Sequence, residues 1–200
     1  MDVHAFINYL VSLSNYRQQI VYTQRIPSQA VMPGKLDKSL NPALQARVES
    51  LGISSLYYHQ AEAINAIFTG TNVIIATPSA SGKTLCYHLA TLEAILNYRN
   101  SCAIYLFPTK ALAQDQLRSL KEIACPELLP EEAVATFDGD TPQAERQKIR
   151  RQARIVLTNP DMLHLGILPN HQSWFRLFRN LKYVVIDEAH VYRGVFGSHV

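Results

Sequence analysis

Two hundred residues, 48% of them hydrophobic and 18% charged, describe a soluble globular chain with enough material for one sizeable α/β core. The net charge of +3 and pI near 8.8 suit a polyanionic partner without requiring one. No apolar run reaches the length of a membrane span, and Met1-Asp2-Val3-His4 lacks the positive flank of a secretory signal, so a membrane class is excluded and a cytoplasmic protein is expected.

In chain order, Phe6, Ile7, Leu10 and Leu13 share one helical face over residues 3 to 13, the pattern of a short amphipathic helix packed against something. From Gln18 to Leu40 the breakers Pro27, Pro33 and Gly34 predict an extended arm, so residues 1–40 are set apart from a main domain over 41–200. Asn41-Pro42 and Gly52 bracket a helix, capped at its start and closed by glycine. A second helix runs from Tyr58 to Thr69. At its head the Gln60 amide offers the donor and acceptor that an adenine edge requires, and a ring from Tyr57 or Tyr58 could stack on the base.

The stretch Asn72 to Thr84 carries the strongest signal. An apolar run, Val73-Ile74-Ile75, breaks into small residues, and Gly82-Lys83-Thr84 then opens a helical segment, the strand, loop and helix order of a phosphate-binding loop. Small side chains at Ser79, Ala80, Ser81 and Gly82 let backbone N–H groups converge on phosphate oxygens at the positive end of the following helix. Lys83 then reaches the outer phosphates, and the Thr84 hydroxyl suits Mg²⁺. The strict pattern asks for glycine where Thr77 stands.

Leu85, Leu89, Leu92 and Leu96 carry the helix to about Tyr98, and Cys102 to Phe107 reads as a strand buried on both faces of a parallel sheet. Pro108-Thr109-Lys110 leads into the next helix. Val134 to Phe137 is a further strand, broken by Asp138-Gly139-Asp140, and Thr141-Pro142 opens a helix with Arg146, Lys148, Arg150, Arg151 and Arg154 in or just beyond it. That cluster either faces nucleic acid or is a solvated face. Arg154 to Leu157 is another strand, ending in Thr158-Asn159-Pro160-Asp161. Met162 to Leu168 and His171 to Asn180 read as packed helical segments. Leu181 to Ile186 is an apolar strand that delivers Asp187 and Glu188 at its carboxyl end. Cys86, Cys102 and Cys125, odd in number and without metal-ligand spacing, read as reduced thiols.

Strands alternating with helices imply a parallel sheet with right-handed crossovers, whose ligands bind beyond the carboxyl strand ends. Thr77, Pro108, Asp138, Thr158 and Asp187 all fall at such ends. Phosphoryl transfer to water requires neutralised phosphates and an oriented nucleophile. Asp187 can hold Mg²⁺ opposite Thr84, and Glu188 can orient or deprotonate the water.

On these residues the chain resembles superfamily 2 helicases over nearly all of 41 to 200. Thr77 to Thr84 is similar to their motif I, Pro108-Thr109-Lys110-Ala111-Leu112-Ala113 to motif Ia, and Asp187-Glu188-Ala189-His190 to a DEAH box. Phe137-Asp138-Gly139-Asp140-Thr141-Pro142, Thr158-Asn159-Pro160-Asp161 and the Thr-Pro-Ser-Ala-Ser-Gly-Lys-Thr loop resemble the RecQ-like DNA helicases of the mitomycin repair factor A type. The resemblance implies a P-loop NTPase domain of RecA-like α/β fold, with ATP and Mg²⁺ as cofactors and single-stranded or forked DNA as partner. It implies 3′-to-5′ unwinding connected with repair. It assigns Gln60 to adenine sensing, and Pro108, Thr109, Lys110, Thr158 and Asn159 to one strand's backbone without base readout. His190 would couple hydrolysis to a second motor domain, and Asp140 would shape a DNA-facing turn or cap a helix. Motif III and the second RecA-like domain lie beyond Val200 in that pattern. The sheet is therefore expected to lack a member between the phosphate-loop strand and the Asp187 strand, and the chain to hold an ATP half-site that does not unwind DNA alone. An RNA helicase, a catalytically silent nucleic-acid-binding remnant and a P-loop ATPase of another kind are the alternatives.

Overall fold

The computed structural model describes residues 2–24, 32–78, 81–198 and 200. Pro27, Ser79 and Ala80, singled out above, lie outside the described residues. The chain divides into two compact units, Met1–Val31 and Met32–Val200.

In the first unit, α1 spans Val3–Ser12, and the Asp2 carboxylate caps it by accepting from the His4 N–H at 2.9 Å. No residue of α1 is buried; Ile7 and Leu10 are half-covered, while Phe6 and Leu13 are exposed. The expected packing of this apolar stripe is therefore only partial.

The second unit contains β1 (Pro33–Gly34), α2 (Pro42–Ser50), β2 (Leu56–Tyr57), α3 (Tyr58–Phe68), α4 (Lys83–Asn97), β3 (Cys102–Leu106) and α5 (Lys110–Ala124). It continues through β4 (Val134–Thr136), α6 (Gln143–Gln152), β5 (Ile155–Thr158), α7 (Pro160–Met162), α8 (Phe175–Arg179), β6 (Leu181–Ile186) and α9 (Gly194–Ser198). The short ribbon β1–β2 is antiparallel. The main sheet runs β4-β5-β3-β6 with every pairing parallel, as buried apolar runs separated by helices require.

Strand β3 is the centre of the packing. Ala103, Tyr105 and Phe107 point into a core shared with α2, α3, α4 and α5, while Cys102, Ile104 and Leu106 point into a second core with Ile149, Trp174 and Leu177. Burying a Leu or Ile completely, as at Leu89 and Ile104, stabilises by roughly 1.5–3 kcal/mol each. All three cysteines are free and buried.

One predicted strand differs. Residues 72–78 form no ladder, although their burial alternates: Val73 and Ile75 lie against the core, and Ile74 is 95% exposed. A strand is defined by a neighbour, and none of the described residues pairs with this segment. Thr77 is therefore not at a strand end. Strand β6, formed where expected, lies at the sheet edge and alternates between half-buried and exposed residues, whereas β3 and β5 are buried throughout.

Candidate nucleotide site and nucleic-acid rim

The parallel strands end in step. Leu106 stands opposite Thr158 on one side and Ile186 on the other, so the segments leaving β3, β5 and β6 emerge together. The ladder continues past the strands, with Phe107 N–H donating to Thr158 O at 2.9 Å and Asp187 N–H to Leu106 O at 3.0 Å. Backbone pairing thus fixes Asp187 beside the start of the motif Ia segment.

The phosphate loop is held from the head of α3. Buried Gln60 accepts from the Tyr57 N–H at 2.8 Å and donates to Gly82 O at 3.0 Å. A primary amide has a second N–H and a second lone pair, which are the groups an adenine edge would use. The Tyr57 ring, 42% exposed, stands 5.9 Å from the His59 ring, and His59 Nε2 lies 3.1 Å from Ser81 O. Gly82 occupies the left-handed region at φ 81°, and a Cβ there would lie 2.4 Å from Gln60 Nε2. Only glycine satisfies both the turn and the close approach. Thr77 and Ser81 join hydroxyls at 2.6 Å, and the Lys83 ammonium donates to Thr77 O at 2.6 Å and Pro78 O at 3.2 Å. A triphosphate offers that ammonium charged acceptors, which are stronger than two neutral carbonyls.

Thr84 and Asp187 come together at a residue that the sequence reading passed over. The Tyr87 hydroxyl lies 3.5 Å from Thr84 Oγ1 and 3.3 Å from Asp187 Oδ2, so the first turn of α4 and the end of β6 share one point. Tyr87 falls three residues after Thr84 and so projects from the same helix face, a spacing visible in the sequence. Hard oxygen donors in this arrangement fit Mg²⁺ better than a soft metal. Among the described residues no group of three or more His, Cys, Asp or Glu could cage an ion alone, and Mg²⁺ ordinarily takes one or two protein oxygens plus phosphates and water.

Glu188 sits at φ 50°, a strained setting for a side chain with a Cβ, with its N–H donating to Asp187 Oδ1 at 3.0 Å. His190 Nδ1 lies 3.3 Å from Glu188 Oε2. Burial, followed by the Asp187 and Glu188 carboxylates, pushes the Tyr192 hydroxyl up to about 12.

Across the rim, Pro108 is half-buried, and the Thr109 hydroxyl caps α5 by accepting from the Leu112 N–H at 3.2 Å. Lys110 pairs with Asp140 at 2.6 Å with both side chains well exposed; the hydrogen bond to Asp140 raises the Lys110 pKa. Asp140 therefore meets a cation rather than capping α6. The Thr158 hydroxyl is buried and donates to Phe137 O at 2.6 Å, which leaves the following turn as the accessible part. Asn159 caps that turn by accepting from the Met162 N–H at 2.7 Å.

Much of the basic cluster works internally. Arg146 donates to Thr141 O at 3.0 Å and Asp138 O at 2.9 Å, bracing the turn that carries Asp140. Arg154 donates to Ile95 O and Tyr98 O, both at 2.9 Å, and Arg150 lies over the Phe137 and Trp174 rings. Period and charge alone did not reveal these destinations.

The chain is 52% identical over 169 residues to an uncharacterised ATP-dependent helicase, YprA, of Bacillus subtilis, covering 84% of this chain and 22% of the relative. It is 46% identical over 196 residues to the ATP-dependent helicase HRQ1 of Saccharomyces cerevisiae, covering 97% of this chain and 18% of that one. The crystal structure of the DUF1998 helicase MrfA bound to DNA and AMPPNP is 44% identical and superposes with a TM-score of 0.83, covering all of this chain and 27% of MrfA. The chain therefore spans about a fifth to a quarter of the length of these relatives. The parallel sheet, its rim and the phosphate loop are those of the RecA-like fold. The DEAD/DEAH box helicase model matches residues 57–200, which hold the Gln60 contact, the phosphate loop, the Lys110 rim and the Asp187–Glu188 pair alike, and the chain belongs to that family.

Proposed function

We propose that this domain binds Mg²⁺ and ATP and forms the nucleotide half of an ATP-dependent 3′-to-5′ DNA helicase that translocates on single-stranded DNA in repair. The observation that carries the reading is the meeting of Thr84 and Asp187 at the Tyr87 hydroxyl, which puts the two candidate magnesium ligands on one side of the molecule. MrfA, bound to DNA and AMPPNP, supports DNA and a nucleoside triphosphate as the partners.

The parts divide the work. Lys83 leaves the loop carbonyls for the outer phosphates, and loop N–H groups take the remaining oxygens. Gln60 sets the loop against the head of α3 and reads adenine with its second N–H, while the Tyr57 ring covers the base. Thr84 and Asp187 would hold Mg²⁺, which would neutralise phosphate charge when bound. Glu188, one residue beyond, orients the attacking water as general base. Thr109, Lys110 and the Asn159 turn hold the backbone of one strand, and a second RecA-like domain in the complete protein would close over this rim through His190.

The test is the affinity of a fluorescent ATP analogue for the 200-residue chain with Mg²⁺ present. Lys83→Ala removes a charged donor from the phosphates and should weaken binding roughly ten- to hundredfold. Equal affinities for the two proteins would refute the site. Replacing single-stranded DNA by RNA of the same length in a binding titration separates the DNA reading from an RNA helicase.

A further inference from the structure

The Tyr87 hydroxyl has three acceptors and one proton. Besides Asp187 Oδ2 at 3.3 Å and Thr84 Oγ1 at 3.5 Å, Gln116 Oε1 stands at 3.4 Å, and Gln116 belongs to α5, the helix that opens at Thr109 and Lys110. We propose that Tyr87 is a positioning residue whose one hydroxyl proton links α5 to the magnesium-binding oxygens, so that a DNA strand on the rim and a nucleotide in the phosphate loop strengthen each other's binding. The proposal rests on the reading of the nucleotide site given above and adds a regulation of that site.

The ring is held and the proton is free to choose. Tyr105 of β3 donates through its hydroxyl to Tyr87 O at 3.4 Å, and the two rings meet edge to face at 5.2 Å and 80°. His88, fully buried, stacks on Tyr105 with ring centres 5.9 Å apart and meets the Tyr87 ring edge to face at 4.9 Å. With the ring fixed, the choice left to the hydroxyl is which oxygen receives its proton. With the lone pairs of Thr84 and Asp187 committed to Mg²⁺, Gln116 would be the best remaining acceptor, and the bond to it would hold α5 in place. Gln116 lies under two turns from Lys110, about 9 Å along a rigid helix, so a strand that fixes the head of α5 also fixes Gln116. The hydroxyl proton thus has two placements, on the magnesium-binding oxygens or on Gln116, that the two sites would bias in the same direction, which is what a coupling between sites requires.

The experiment measures binding of a fluorescent ATP analogue to the chain with and without an oligothymidylate, in Mg²⁺ and in chelator. In the wild-type protein DNA should tighten nucleotide binding about fivefold or more in Mg²⁺, and nucleotide should tighten DNA binding by the same factor. Chelator should abolish the effect. Tyr87→Phe keeps the ring and removes the proton, and should bring the factor to about one with an unchanged melting temperature. Gln116→Leu should do the same while nucleotide affinity without DNA stays within about twofold of wild type. A Tyr87→Phe protein that keeps the wild-type factor overturns the proposal, as does a wild-type protein that binds nucleotide with no response to DNA. The latter result leaves the nucleotide site standing. A wild-type chain that binds no nucleotide would remove both.

Discussion

At the scale of single residues, His88 carries a consequence for stability that the nucleotide chemistry does not use. It is completely buried on α4, neither ring nitrogen has a hydrogen-bond partner among the described residues, and burial lowers its pKa from 6.5 to about 3. The imidazole is neutral in the folded chain and takes up a proton on unfolding whenever the pH is below 6.5. Stability from this group is therefore complete above the unfolded value and is lost as the pH falls from 6.5 towards 3. Between pH 7 and pH 5 the loss should be about 2 kcal/mol, read as a fall in the urea midpoint. His88→Leu, which fills much the same space without a titratable group, should flatten that part of the pH profile. A profile of unchanged slope in His88→Leu would show that other groups govern acid sensitivity. A pKa displaced by burial among the Tyr87 and Tyr105 rings is invisible in sequence, where His88 is one more polar residue on a helix.

At the scale of elements, the Asp138–Thr141 turn shows how α6 serves the rim. Arg146 on the first turns of α6 reaches back to Asp138 O and Thr141 O and lies 5.0 Å over the Phe137 ring. Arg146→Ala removes two charge-assisted bonds at partly buried carbonyls and should destabilise the domain by about 2 kcal/mol in urea denaturation. Arg146→Lys should recover little, because a point ammonium cannot fork to two carbonyls and cover a ring. Full recovery by lysine would reduce the contact to charge alone. Most helices were legible: α2 and α5 start where Asn41 and Thr109 accept a backbone N–H, and α4 follows its leucine period, whereas α7 begins at Pro160, two residues before the helical segment expected from Met162. Strands β3 and β5 were legible as wholly buried apolar runs. Residues 72–77 have an equally good strand sequence yet form none, because pairing depends on a neighbour that local pattern cannot supply. The same limit hides Tyr87 and Arg146, whose long side chains reach partners far away in sequence.

At the scale of the whole molecule, charge is distributed unevenly. Residues 141–182 hold eight Lys and Arg against two acids, so the remainder of the chain is net acidic although the total is +3. A basic stretch of this kind invites the inference that it binds DNA, and it contributes to a cleft of about 370 Å³ lined by Gln147, Arg150, Arg151, Ser173 and Arg176. Arg176 donates there to Ala153 O, just ahead of β5, at the opposite end of the strands from Asp187. The rim offers Lys110, already paired with Asp140, together with hydroxyl, amide and backbone donors. Binding of single-stranded DNA by the rim should therefore depend only shallowly on salt, since each phosphate neutralised contributes a slope of about −0.7 in log K against log salt. Lys110→Ala should weaken oligothymidylate binding and make that slope shallower by about 0.7. Arg151→Ala, which leaves the rim intact, should change neither quantity. Asp140→Asn releases Lys110 from its partner and should tighten DNA binding at low salt, with the gain fading as salt rises. Anisotropy titrations of the three variants across a salt series decide the matter: a slope that falls in Arg151→Ala and not in Lys110→Ala would move the strand from the carboxyl rim of the sheet to the arginine cleft.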